Sequence, residues 1–198
     1  MKQNTNKILT AVLAVALLLA MAVLIYVYIP RSQENQTPPP TEATILTITY
    51  NGASWNYSLH DLEALPSYSG SGGYIKKSAL PQIITVGPFN YTGVNITYLL
   101  SQIPNLPNEY SIQVIPTDNY NPGTFNKSKV QGGITVYNIT GNITGSQGVT
   151  MLLAYKDSGE YMNETQGGPI RIVYVDDGAF TLSDIWVKMV RTIRVISE

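Results

Sequence analysis

Between Ile8 and Ile29 lie 22 residues of which only Thr10 is not apolar, and none of them is charged. At about 1.5 Å of rise per residue the run reaches roughly 33 Å, enough to cross a hydrocarbon core of about 30 Å. The run therefore predicts a transmembrane helix. The competing reading is a secretory signal peptide, but its apolar region is usually about 7 to 15 residues long, and here the small-residue pattern Ala20-Met21-Ala22 lies inside the run. Lys2, Lys7 and the amino terminus precede the run, whereas Arg31 alone follows it before Lys76. That asymmetry predicts a cytoplasmic tail over residues 1–7, an anchor over 8–29 and everything beyond outside the membrane.

Asn-x-Ser/Thr sequons agree with that orientation. They occur at Asn35, Asn56, Asn90, Asn95, Asn126, Asn138, Asn142 and Asn163, well above chance for this content of Asn, Ser and Thr. A surface rich in Asn and Thr makes some by accident. N-linked glycans, however, suit an exported surface and would solubilise one on which charge is scarce, 13 % of the chain against a usual value near 25 %. Combined with the absence of cysteine, this predicts a surface glycoprotein of an archaeal envelope.

Composition excludes several chemistries. A net charge of -1 and a pI near 5.8 offer no basic field for a polyphosphate backbone, so nucleic acid is not an expected partner. With no Cys, the chain has no disulfide, Fe-S cluster, Cys-ligated zinc or thiol nucleophile. The single imidazole, His60, rules out a His-rich metal site, and any catalytic triad would have to pass through it.

Residues 30–43 hold a Pro38-Pro39-Pro40 stiffener without apolar periodicity and read as a stalk. Residues 44–198 read as one domain. Strands are expected over Ile45 to Tyr50, Ser111 to Ile115, Ile134 to Asn138, Val149 to Tyr155, Ile170 to Val175 and Val187 to Ile196. Turns are expected at Asn51-Gly52, Asn121-Pro122-Gly123, Asp157-Ser158-Gly159 and Gly167-Gly168-Pro169. Ser58 is a candidate N-cap for a helix over His60 to Leu65, and Asn95 for one over Ile96 to Ile103. The fold class is therefore α+β, β-rich, with mixed or antiparallel sheet and a few short helices.

Isolated motifs give little chemistry. Gly70-Ser71-Gly72-Gly73 lacks a Lys directly after its last Gly, so it reads as a flexible connector rather than a phosphate loop. His60-Asp61 falls on a short amphipathic helix with no matching nucleophile. Asp176-Asp177-Gly178 reads as a hairpin tip, since adjacent carboxylates on a strand point to opposite faces. The 14 Tyr could provide stacking surface or simply core.

The order of four blocks is more informative. Gly87-Pro88-Phe89-Asn90-Tyr91-Thr92-Gly93-Val94-Asn95-Ile96-Thr97-Tyr98-Leu99-Leu100 is followed by Thr117-Asp118-Asn119-Tyr120. Then come Val149-Thr150-Met151-Leu152-Leu153-Ala154-Tyr155 with Gly159-Glu160. Last are Gly167-Gly168-Pro169-Ile170-Arg171-Ile172-Val173, Trp186-Val187-Lys188 and Ile193. Over about residues 55–196 this series resembles the oxidoreductase molybdopterin-binding domain, the sulfite-oxidase-like family. The resemblance implies a fold that holds a molybdenum-pterin cofactor in active relatives and acts on oxyanions or sulfoxide-like groups. It places Arg171, Lys188 and Asp118 at cofactor-binding positions, with the planar fork of Arg and the point charge of Lys suited to a phosphate.

Catalytic members hold molybdenum through a Cys thiolate, a soft ligand absent here, and the basic residue five positions before the Arg is replaced by Gln166. The expected function is thus a membrane-anchored, extracytoplasmic and non-catalytic module that binds a small ligand or an envelope protein, with no metal ligands and no cofactor required. The alternative is a molybdopterin-dependent oxidoreductase with a non-Cys metal environment. Space beside Arg171 and Lys188 discriminates between them: an open polar cleft favours the cofactor, and filling side chains favour the bare scaffold.

Overall fold

A computed structural model describes residues 42–76, 83–146 and 148–198. The expected tail, the anchor over 8–29 and the stalk up to residue 41 lie outside the described residues, as does the sequon at Asn35. Among the described residues no helix is long and apolar enough to cross a membrane.

The chain begins with the hairpin β1 (Leu46–Tyr50) and β2 (Ala53–Tyr57). Its two-residue turn puts Asn51 at φ 48° and Gly52 at φ 79°, the left-handed pair that matches the twist of paired strands. Helix α1 (Leu59–Glu63) follows a capping box in which Ser58 Oγ accepts from Asp61 N and the Asp61 carboxylate accepts from Ser58 N. Two long strands, β3 (Ser67–Lys76) and β4 (Ile84–Asn95), lead into α2 (Ile96–Ser101), capped by Asn95. Next are β5 (Tyr110–Pro116), β6 (Thr124–Asn126), α3 (Lys127–Val130), β7 (Val136–Tyr137) and β8 (Ile143–Gly145). The chain closes with β9 (Thr150–Asp157), β10 (Glu160–Tyr161), β11 (Arg171–Val175), β12 (Asp177–Leu182) and β13 (Val190–Ser197).

These strands form two sheets. The smaller runs β2-β1-β13-β5-β6 and is antiparallel except where β1 and β13 run parallel. The larger runs β10-β9-β4-β3-β12-β7-β8, with β11 also paired to β9. Inward residues of both sheets, such as Ile48, Ile112 and Ile193 from one and Val94, Leu153 and Ile172 from the other, share one continuous core with Leu99 and Leu100 of α2. The structure is thus a β-rich α+β fold with short helices, and the two expected caps are in place.

Two readings are corrected. Gly70-Ser71-Gly72-Gly73 is no flexible connector but the middle of β3, at the centre of the larger sheet. Its glycines are there for close packing. A Cβ on Gly72 would lie 2.2 Å from the carbonyl oxygen of Tyr174, and one on Gly73 would lie 2.5 Å from Cε1 of Phe180. Asp176-Asp177-Gly178 is not a hairpin tip. There the chain leaves β11, paired to β9, and enters β12, paired to β3, with Asp176 N donating to Ser71 O at 2.9 Å.

The sequon asparagines also have local work. Asn95, Asn126 and Asn163 each cap a helical turn through their side-chain oxygen. In three sequons the Thr hydroxyl donates back to its own Asn Oδ1: Thr97 at 2.5 Å, Thr140 at 2.7 Å and Thr165 at 2.6 Å. Asx and capping turns select Asn with a nearby Ser or Thr on their own account. Part of the sequon excess therefore has an origin in folding, independent of any glycan.

Candidate functional site

Arg171 opens β11 opposite Ala154 of β9, which buries it to 5 % exposure. Among the described residues its guanidinium has no carboxylate partner, and its buried Nε has no hydrogen-bond acceptor. Aromatic faces hold it instead: Cζ lies 5.5 Å from the Tyr91 ring centroid and 5.6 Å from that of Trp186. Trp186 is fixed in turn by its Nε1, which donates to Thr181 Oγ1 at 2.7 Å, and by the Tyr74 ring at 5.1 Å. Such packing stabilises a cation yet satisfies none of its donors.

The Gly167-Gly168 pair brings Lys188 to the same place. Both glycines have positive φ, and Met189 N donates to Gly167 O at 2.6 Å. A Cβ on Gly167 would meet Lys188 Cδ at 2.9 Å, and one on Gly168 would meet Met189 Cα at 2.7 Å. Met189 itself adopts φ 52°, so the strand expected from Val187 starts only at Val190, and Val187 keeps a single bridge to Ile172. Lys188 is thereby left exposed beside β11 rather than locked into a ladder.

Asp118 arrives from the loop after β5. Its Oδ1 accepts from Tyr120 N at 3.1 Å across Asn119, which sits at φ 61°. The hydroxyl of Tyr120 donates to Asp184 O at 2.8 Å and so latches the loop to the chain just before Trp186. Burial, with the Asp184 and Asp118 carboxylates adding to it, raises the Tyr120 phenol above its ordinary range.

Arg171, Lys188 and Asp118 all line one open cleft of about 460 Å³, together with Tyr74, Lys76, Tyr120, Ser183 and Trp186. The three residues singled out in the sequence thus meet. Lys76 and Tyr74 were missed, because their strand carries no spacing that points to a site; Tyr120 stands in the block that gave Asp118 but was not singled out. Three cations face a single carboxylate across this cleft, which favours an anion. Tyr91 stays neutral behind Arg171: burial pushes its phenol up to about 12, with the Arg171 charge opposing the shift and Asp157 and Tyr74 adding to it.

Two other clefts lack such a group. The larger, about 500 Å³, includes Lys127, but that amine donates to Asn108 O at 2.5 Å and lies 3.6 Å from Glu109. A groove of about 440 Å³ beside Asp176 and Asp177 offers Tyr68, Asn90 and backbone, with no cation among its lining residues. Among the described residues no three His, Asp or Glu side chains gather as metal ligands.

No family model matches the chain, and no curated protein matches it. Its structure is similar to that of the sulfane dehydrogenase SoxCD from Paracoccus pantotrophus, with a TM-score of 0.54 at 20 % identity. The match covers 77 % of this chain and 38 % of that one, so the chain spans well under half of SoxCD. At this identity the likeness is one of fold.

Proposed function

We propose that the chain is a membrane-anchored, extracytoplasmic domain of sulfite-oxidase-like fold that binds an anionic, phosphate-like ligand in the cleft of Arg171, Lys188 and Lys76. One observation carries the reading. A buried guanidinium whose Nε has no acceptor is costly unless something arrives to accept from it. An oxyanion does so, and the open cleft leads to it.

The molybdenum-pterin group of the resembling family is a natural test of fit. For the phosphate end the donor set is suitable, with Arg171 as planar fork, Lys188 and Lys76 as point charges, and Tyr74 as an aromatic wall. For the metal it is not: the chain has no Cys, and no thiolate can be supplied. Binding without molybdenum catalysis is the reading that accommodates both facts. The second reading, a molybdopterin-dependent oxidoreductase acting on an oxyanion or sulfoxide-type group, draws support from the openness of the cleft and from the likeness to a sulfane dehydrogenase.

The test is calorimetry on the full chain with inorganic phosphate, sulfate and the phosphate monoester of a reduced pterin. At least one should bind, more weakly in high salt, and Arg171→Met should weaken it about 10-fold to 100-fold, the worth of a charged hydrogen bond. Lys127→Met, in the other cleft, should leave binding unchanged. Absence of binding by all three probes refutes the reading. Stoichiometric molybdenum in protein purified from its native host would replace it with the second.

A further inference from the structure

Three solvent-facing isoleucines, Ile139, Ile143 and Ile83, gather at the tip of the β7–β8 hairpin, with Ile84 next to Ile83 in the chain. Ile143 and Ile139 are 69 % and 61 % exposed, the most among the large apolar side chains of the described residues, and Ile83 and Ile84 are 47 % and 44 % exposed. Ile83 reaches the tip itself, because a Cβ on Gly141 would lie 2.5 Å from its Cδ1. Small polar residues serve a turn better, and an apolar patch left in water usually marks a surface that something covers.

The tip also names its own cover. Ile139 and Ile143 are the middle residues of two sequons, Asn138-Ile139-Thr140 and Asn142-Ile143-Thr144. Asn138 Oδ1 accepts from Thr140 N at 3.0 Å, Thr140 Oγ1 at 2.7 Å and Asn142 N at 3.0 Å, which fixes the amide. Its Nδ2 donates to nothing among the described residues. Asn142 Nδ2 donates to Thr140 Oγ1 at 3.1 Å. An amide nitrogen carries two hydrogens, so a sugar can replace one while the other keeps that bond.

We propose that N-linked glycans on Asn138 and Asn142 cover this patch, the apolar faces of their first sugars lying over Ile139, Ile143 and Ile83. A lipid-linked oligosaccharide phosphate is the donor. A bond forms between Nδ2 and the anomeric carbon, the bond from that carbon to the lipid phosphate breaks, and one amide proton is released. The proposal rests on the extracytoplasmic placement given above.

Glycopeptide mass spectrometry on the full chain from its native host comes first, and both asparagines are expected to be occupied. Asn138→Gln/Asn142→Gln, made in the same host, should raise binding of an anilinonaphthalene sulfonate dye about threefold and drive self-association in sedimentation, as uncovered apolar surface does. Asn56→Gln should do neither, and adding Ile139→Ser/Ile143→Ser should reverse both effects. Enzymatic removal of glycans from the folded wild-type protein should reproduce the rise without any substitution. Bare Asn138 and Asn142 beside glycans elsewhere overturn the proposal but leave the placement standing; a chain free of all glycan overturns both. Occupied sites whose removal leaves dye binding unchanged also overturn it, as does a native glycosylated protein that dimerises, or binds vesicles, through these isoleucines.

Discussion

Replacing Arg171 by Met separates a binding arginine from a structural one. A buried cation paired with a carboxylate typically costs about 3 to 5 kcal/mol when removed, because the partner is left charged and alone. Arg171 has no such partner among the described residues, and its Nε lacks an acceptor, a defect worth about 1 to 3 kcal/mol against the fold. Its favourable contacts are the faces of Tyr91 and Trp186, about 1 kcal/mol or somewhat more together. Methionine retains the aliphatic contact along those faces. The expected result is therefore a change between zero and about 2 kcal/mol in favour of the variant, with anion binding weakened. Urea unfolding of the ligand-free full chain, followed by tryptophan fluorescence, gives the number. A loss of about 2 kcal/mol or more would show that Arg171 holds the fold together through a pairing the geometry does not contain, and the case for an anionic ligand would go with it.

Four further substitutions test other parts of the fold. Gly72→Ala should destabilise the fold by about 2 to 4 kcal/mol, since its Cβ would lie 2.2 Å from Tyr174 O, whereas Gly123→Ala, with open space around it, should lose only about 1 kcal/mol from its φ of 76° in the same urea measurement. Tyr91 has a folded pKa of about 12 against 10 unfolded, so its contribution is complete below pH 10 and lost as pH rises through 12. Tyr91→Phe should consequently flatten that alkaline loss in a series of melts, and an unchanged profile would contradict the burial of the phenol. Asp61 has its folded pKa lowered by the Ser58 backbone and side-chain bonds, so its contribution is present above the unfolded value and vanishes as pH falls through the folded one. Asp61→Asn should be less stable than the parent at neutral pH and converge with it in acid; parallel profiles would mean the capping box carries no weight.

The legible parts of this fold were those whose cause is local. Asn51-Gly52 supplies its own positive φ, Ser58 and Asn95 satisfy their own helix ends, and Leu152 to Tyr155 is apolar enough to be a strand buried on both faces. β3 was illegible for the opposite reason. Gly70, Gly72 and Gly73 suppress every strand propensity, and what makes them a strand is Tyr174 and Phe180, about a hundred residues away in sequence. The site divides in the same way. Arg171, Lys188 and Asp118 were found through the order of the motifs, while Lys76 and Tyr74 reach the cleft only because β3 pairs with β4 and β12.

The features that position Arg171 and Lys188 are also those that close the core: Gly168 against Met189, Val187 bridged to Ile172, Trp186 seated on Thr181. Losing them would open the packing behind β11, so the backbone frame of the cleft is tied to the fold although the charge of Arg171 is not. Selection for stability alone would remove a buried charge without an acceptor, which Met or Leu would fill at no cost. Arg171 therefore argues for a ligand that accepts from its guanidinium.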